Sequence, residues 1–225
     1  MAYDRKHNEA NGHGNTDGTD DNRSWNCGAE GDVNAPPAVL ALRRQQAKNV
    51  CALLMLANGI PMIVAGDEFL NTQRGNNNPY NQDNDITWLD WSRLEENRDV
   101  FRFFRLMIAF RKSHAGIGRP TFWRDDVTWY GAHGPVDLGS ESRCVAYLLN
   151  GASVGDGDLY VMMNAHWNDR DFTVPGEQAR PWRRVVDTSR PAPEDIVEPG
   201  SEPVLAAASY PVRARSVVVL RRERV

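Results

Sequence analysis

The stretch GIPMIVAGDEF, residues 59–69, decides how the fold is read. Residues 60–65 form a short, unbroken apolar run closed by Gly66-Asp67-Glu68-Phe69. A run of that length suits a strand buried on both faces, as in a parallel sheet. Upstream, Asn34 followed by Pro36 and Pro37 signals a helix start. Val39, Leu42, Gln46, Val50, Leu53 and Ala57 then recur at threes and fours, which predicts an amphipathic helix over 38–58. Asn58-Gly59 is a suitable stop for it. Downstream, a polar region over 70–96 leads to a second predicted helix, 97–114. Its apolar face is Val100, Phe103, Phe104, Met107 and Ile108, and Gly116 and Gly118 end it. The order helix, buried strand, long loop, helix is that of an α/β protein.

After Pro120 the pattern changes. Residues 127–130, 144–149, 159–164, 171–174, 182–187 and 212–220 are short β-type segments separated by turns rich in Gly, Asp and Pro. Strands at this spacing with no helix between them predict an antiparallel β-sandwich that folds independently. The expected division is 1–119 and 120–225. Residues 1–35, polar and nearly without aliphatic side chains, read by composition as a long loop or a disordered tail. No internal repeat or low-complexity array is visible.

A chain of 225 residues, 41% hydrophobic and 25% charged, can bury a core. A net charge of −4 and arginines scattered in separate pairs argue against a nucleic-acid partner. No run of 18 apolar residues and no secretory h-region is present, so no membrane partner is expected. Three distant cysteines, Cys27, Cys51 and Cys144, show no metal spacing and fit a reducing cytoplasm.

A loop following a buried parallel strand is where such sheets place their active sites, so Asp67 and Glu68 are the first catalytic candidates. The alternative is that they brace their own turn. The run from His13 to Gly18 resembles a calcium loop faintly, but its twelfth position is Ser24, and His7-Asn8-Glu9 lacks a second histidine. No metal or other cofactor is expected. The stretch NNNPYNQDNDITWLDW, residues 76–91, mixes amides with aromatic rings. Amides match sugar hydroxyls, and indole or phenol rings match the apolar faces of sugars. Equally, the amides could satisfy their own loop backbones.

YDRKHNEANGHGNTDGTDDNRSWNCG, GIPMIVAGDEF and TQRGNNNPYNQDNDITWLDW, in that order, resemble consecutive blocks of bacterial glycogen debranching enzymes of the isoamylase type, in the α-amylase superfamily of glycoside hydrolases. The resemblance covers nearly the whole chain. It implies the C-terminal end of a (β/α)8 barrel followed by the β-sandwich: helix seven at 38–58, strand eight at 60–65, helix eight at 97–114. It also turns residues 1–35 from a tail into an active-site loop and Asp67 and Glu68 into a structural closure of strand eight. Leu70-Asn71, where the family favours Gly-Arg, and Asn81, where Cys is common, depart from the pattern and put the local loop conformation in question.

The resemblance implies hydrolysis of α-1,6 branch linkages in glycogen or limit dextrins, with an α-glucan as partner. The family's nucleophilic Asp, acid/base Glu and third Asp belong upstream of Tyr3, and no residue here matches their motifs. The chain alone is therefore expected to be inactive, with an upstream half of the same enzyme as a candidate partner. The rival reading is a non-catalytic carbohydrate-binding or interaction module. The expected substrate contacts are Lys6, His7, Asn8, Glu9 and Asn11 in the loop after strand seven. The loop after strand eight supplies Asn76, Asn77, Asn78, Tyr80, Gln82, Asp83 and Asn84.

Overall fold

Pro37 opens α1 (Pro37–Leu56), a position where its missing N–H leaves no helical hydrogen bond unmade. The helix forms where expected but buries another flank. Cys51, Ala52, Met55 and Leu56 are buried, whereas Val50 and Leu53 are exposed and Val39, Leu42 and Gln46 only partly covered. The helix carries apolar residues on more than one side, and periodicity alone does not say which side its neighbours cover. In the computed structural model, which describes residues 2–176 and 180–223, the chain divides into two compact units. One comprises Met1–Lys48 and Ile63–Arg102, the other Asn49–Met62 and Phe103–Val225.

The first unit holds most of the irregular chain. A single turn of helix, α2 (Ser92–Glu96), precedes α3 (Arg98–Ser113), the predicted second helix. Asn97 between them is buried, and its amide donates to Phe69 O at 3.0 Å and Arg93 O at 2.8 Å. Phe69 is buried in the same unit and lies 5.2 Å from the Trp91 ring.

Residues 60–65 are not a strand. Ile60 is 99% exposed and Met62 86%, and no β-bridge joins this segment to any described residue. A strand exists only through pairing, and Pro61 has no N–H to offer a partner. An apolar run encodes burial that only a neighbour can supply.

In the second unit, Val100's successors Phe103, Phe104 and Met107 on α3 are buried as expected, but Ile108 is half-exposed and Leu106 and Phe110 are buried instead. Arg111 caps α1: its Nη1 donates to Met55 O and Ala57 O, both at 2.7 Å, satisfying terminal carbonyls. Gly116 and Gly118, expected to end the second helix, lie in a further short turn, α4 (Ala115–Gly118), set off by an extended His114.

Among the described residues seven strands follow: β1 (Val127–Tyr130), β2 (Cys144–Leu149), β3 (Asp158–Asn164), β4 (Arg170–Thr173), β5 (Arg183–Asp187), β6 (Ser209–Val212) and β7 (Ser216–Arg222). The segment 212–220, expected as one strand, is two. Arg215 at φ +53° breaks it, and β6 and β7 then join different sheets. One sheet is antiparallel in the order β1-β2-β3-β7-β5, and β4 pairs with β6 in a second. Between the sheets lies a core of Ala146, Tyr160, Met162, Phe172, Tyr210, Val212, Val218 and Leu220. These residues alternate along their strands, as one face of a sandwich requires.

The alternate residues Tyr147, Val161, Val217 and Val219 are buried as well. Thus β3 and β7 are covered on both faces, which explains their unbroken apolar composition. On this side Thr188 Oγ1 donates to Asn49 Oδ1 of α1, and Asn49 Nδ2 donates to Arg215 O at 2.7 Å. A cavity of about 440 Å³ separates Leu106, Ala109 and Phe110 of α3 from Val185, Ile196 and Arg221.

Candidate functional site

The predicted contact residues all fall in the first unit, where residues 3–35 and 70–91 bond to one another. Asn8 is fully buried. Its Nδ2 donates to Asp17 O and Asn77 Oδ1, both at 2.9 Å, and its Oδ1 accepts the Asn77 N–H at 3.0 Å. Asn11 is also buried; its Nδ2 donates to Asp17 Oδ2 at 2.7 Å and Asn78 O at 2.9 Å. Its Oδ1 accepts Asn76 Nδ2 at 2.8 Å and Gln82 Nε2 at 3.0 Å. The third buried amide, Asn76, accepts the Asn78 N–H at 2.9 Å.

Asp17 is the knot of this network. Its Oδ2 accepts from Asn11 and from Asn78 Nδ2, and its carbonyl accepts from Lys6 Nζ at 3.0 Å. The Asn11 amide, opposed by desolvation and joined by Asn78, holds the Asp17 carboxyl below its ordinary pKa. Next to it Gly18 sits at φ +71°, and a Cβ there would come within 2.6 Å of Asn8 Nδ2. Only glycine fits both the backbone and the space.

Two further anchors were not legible as such. Arg43, buried on α1, donates to Asn26 O at 2.9 Å, Gly31 O at 2.8 Å and Asp32 Oδ1 at 3.0 Å. Glu30 accepts the Asp4 N–H at 2.9 Å, the Asn26 amide at 3.0 Å and His7 Nε2 at 3.0 Å. Desolvation works against the charged form, but these donors and the Arg5 N–H outweigh it and hold the Glu30 carboxyl at about 2. Residues 2–35 are therefore not a disordered tail. Polar side chains that cannot build an apolar core bond to one another and to the backbone instead, with Asp17 Oδ1 left buried and unpaired.

The predicted residues divide by exposure. Lys6, ion-paired to Asp20 at 2.7 Å, is nearly buried, and Asn8, Asn11 and Asn76 are buried. His7, Asn77, Asn78, Gln82 and Asn84 are partly covered, and Gln82 Oε1 accepts Asn84 Nδ2 at 2.8 Å. Glu9, Tyr80 and Asp83 are exposed. Tyr80 is 68% exposed, its hydroxyl 2.9 Å from His13 Nε2. Trp88 and Trp91 are also exposed, and Trp88 Nε1 donates to Asp83 Oδ1 at 3.0 Å. The amides of residues 76–84 are thus satisfied by the loops, while the neighbouring rings stay wet.

Asp67 and Glu68 occupy a turn, not a strand end. Asp67 Oδ2 accepts the Val64 N–H at 3.0 Å, and Glu68 Oε2 the Gly66 N–H at 2.9 Å. Among the described residues no cluster of three or more His, Cys, Asp or Glu side chains could hold a metal ion, and no helix is long and apolar enough to cross a membrane.

Residues 126–221 match the family model "Isoamylase, C-terminal". The chain is 37% identical to a "Glycogen operon protein GlgX homolog" of Mycobacterium bovis, the match covering 99% of this chain and 34% of the relative. It is 43% identical to the chloroplastic isoamylase 3 of Oryza sativa, over 89% of this chain and 25% of that protein. The chain therefore spans about a third of the mycobacterial relative's length and about a quarter of the rice protein's. A pullulanase mutant of Paenibacillus barengoltzii, solved with maltotetraose, superposes with a TM-score of 0.64 at 27% identity, covering 86% of this chain and 27% of the other.

Proposed function

We propose, from the premise that the chain belongs to the isoamylase family, with residues 126–221 its C-terminal domain and a glycogen operon protein and isoamylases as relatives, that this is the C-terminal part of an enzyme hydrolysing α-1,6 branch linkages in glycogen or its limit dextrins. The observation that carries the reading is the match across 99% of the chain to a relative about three times as long. Residues 1–119 are then the end of a (β/α)8 barrel and 120–225 its C-terminal sandwich. The exposed run 60–65 supports this, because an apolar segment without a partner is what an eighth barrel strand is when strands one and seven are not beside it.

Retaining hydrolysis needs two carboxylates about 5 Å apart across the scissile bond. The chain's matched motifs supply neither, so we assign both to an upstream half of the enzyme. The two cross-braced loops form part of the glucan cleft. Within it, Asn8, Asn11, Asn76 and Lys6 hold the shape. Glu9, Tyr80 and Asp83, with the outward edges of His7, Asn77, Asn78, Gln82 and Asn84, meet the sugar. Exposed rings beside satisfied amides support that division, since a pyranose face can cover a ring without disturbing the network.

The test is release of reducing ends from glycogen limit dextrin. The purified chain alone should give none, and addition of the upstream polypeptide should restore turnover. Turnover by the chain alone, or none by the pair, would overturn the reading. A second reading, a glucan-binding module without chemistry, is favoured by loops that are internally braced. It predicts that the chain alone binds maltotetraose in a titration.

A further inference from the structure

The turn between β3 and β4 places an unusual set of donors around one indole. Asn164, buried at the end of β3, fixes the turn: its Oδ1 accepts the His166 N–H at 2.9 Å and its Nδ2 donates to Asn168 O at 2.9 Å. His166 Nδ1 accepts the Asn168 N–H at 3.0 Å. The ring proton of neutral His166 must then sit on Nε2. That nitrogen faces Arg170 Nη2 at 3.2 Å, and a guanidinium can only donate. Two donors meet with no acceptor between them.

Charge at this end of the sandwich favours an anion. Desolvation, Arg170 and Arg143 together push the His166 pKa down, so the imidazole is a neutral N–H donor. Asp169 already takes Arg213 Nη1 and the Ala214 N–H, and Glu141 reaches Arg143 only at 3.5 Å. Trp167 is 61% exposed, stacked at 4.3 Å on His166, with the Arg143 guanidinium 5.9 Å from its ring centroid. Guanidinium and imidazole N–H groups suit phosphate oxygens, and an exposed indole suits the C–H face of a sugar.

We propose that His166, Trp167, Arg170 and Arg143 form a binding site for a phosphomonoester carried on a hexose. The oxyanion half stands on the geometry alone, while the choice of a glucose unit rests on the glucan reading above. The phosphate accepts from His166 Nε2 and Arg170, and the sugar lies on Trp167 beside Arg143. This site is outside the loops assigned to the cleft.

Calorimetric titration of the whole chain with glucose 6-phosphate, inorganic phosphate, glucose and AMP tests it. Glucose 6-phosphate should bind at least tenfold more tightly than inorganic phosphate, and glucose not measurably. Arg170→Gln should weaken glucose 6-phosphate binding tenfold or more. Trp167→Ala should do the same while leaving inorganic phosphate binding unchanged. By NMR, the His166 pKa should rise on adding phosphate, a signal that a purely structural role would not give. Binding that is stronger for a phosphorylated maltooligosaccharide identifies the polymer as the source, and equal binding the free sugar phosphate. No saturable binding of any phosphate, or no effect of Arg170→Gln, overturns the site. Equal affinity for inorganic phosphate, or tighter binding of AMP, overturns the sugar assignment. Failure of the chain with its upstream polypeptide to release reducing ends from limit dextrin would count against the glucan reading without touching the phosphate result.

Discussion

Asn8 and Asn77 are bonded to each other twice. The Asn8 amide donates to Asn77 Oδ1 at 2.9 Å, and the Asn77 backbone N–H donates to Asn8 Oδ1 at 3.0 Å. This reciprocal pair clamps two loops 69 residues apart in the chain. Asn8→Ala leaves several buried donors and acceptors unpaired, at about 1–3 kcal/mol for such a loss. A lowered melting temperature, with hydrogen exchange accelerated in both loops together, is the expected result.

Tyr80 should behave in the opposite way. Its ring is exposed and its hydroxyl meets His13 Nε2 at the surface. In the enzyme reassembled with its upstream half, Tyr80→Ala should raise the Michaelis constant with little change in melting temperature. A fall in stability with unchanged substrate affinity would return Tyr80 to the fold.

Acid should loosen the first loop. Glu30 has a folded-state pKa of about 2 against an ordinary 4.5, so its contribution is present above about 4.5 and is lost as the pH falls from there toward 2. Hydrogen exchange at Asp4 and Arg5, whose N–H groups Glu30 accepts, should speed up over that window. Glu30→Gln should remove most of the pH dependence.

The sandwich core should be sensitive to truncation. Phe172, fully buried between the two sheets, should cost about 3–5 kcal/mol when changed to Ala. A fragment of 120–225, expected from sequence to fold alone, lacks α3 and the end of α1. Tyr147, Val161, Val217 and Val219 would lose cover, so the fragment should bind a hydrophobic dye that the whole chain does not.

Residues 60–65 should exchange their amides rapidly in the chain alone, Val64 with its bond to Asp67 apart, since no β-bridge joins them to any described residue. Adding the upstream half should protect them. Protection in the isolated monomer would argue against the barrel-strand assignment.

What the sequence determined by itself was the placement of α1, α3 and the first five strands, because local periodicity and turn chemistry act over a few residues. The motif blocks around His7, Asp67 and Asn76 likewise identified the family. Tertiary structure alone decided which flank of α1 is buried, since several of its sides are apolar. It also decided that 212–220 splits at Arg215, where a left-handed residue sends β6 and β7 into different sheets. The two-sided burial of β3 and β7 depends on chain far away in sequence. So does the loop network: nothing in the composition of residues 1–35 reveals that Arg43 and Asn77 hold them. A hydrogen bond has a range of about 3 Å, and which amides come within it is settled only when distant segments meet.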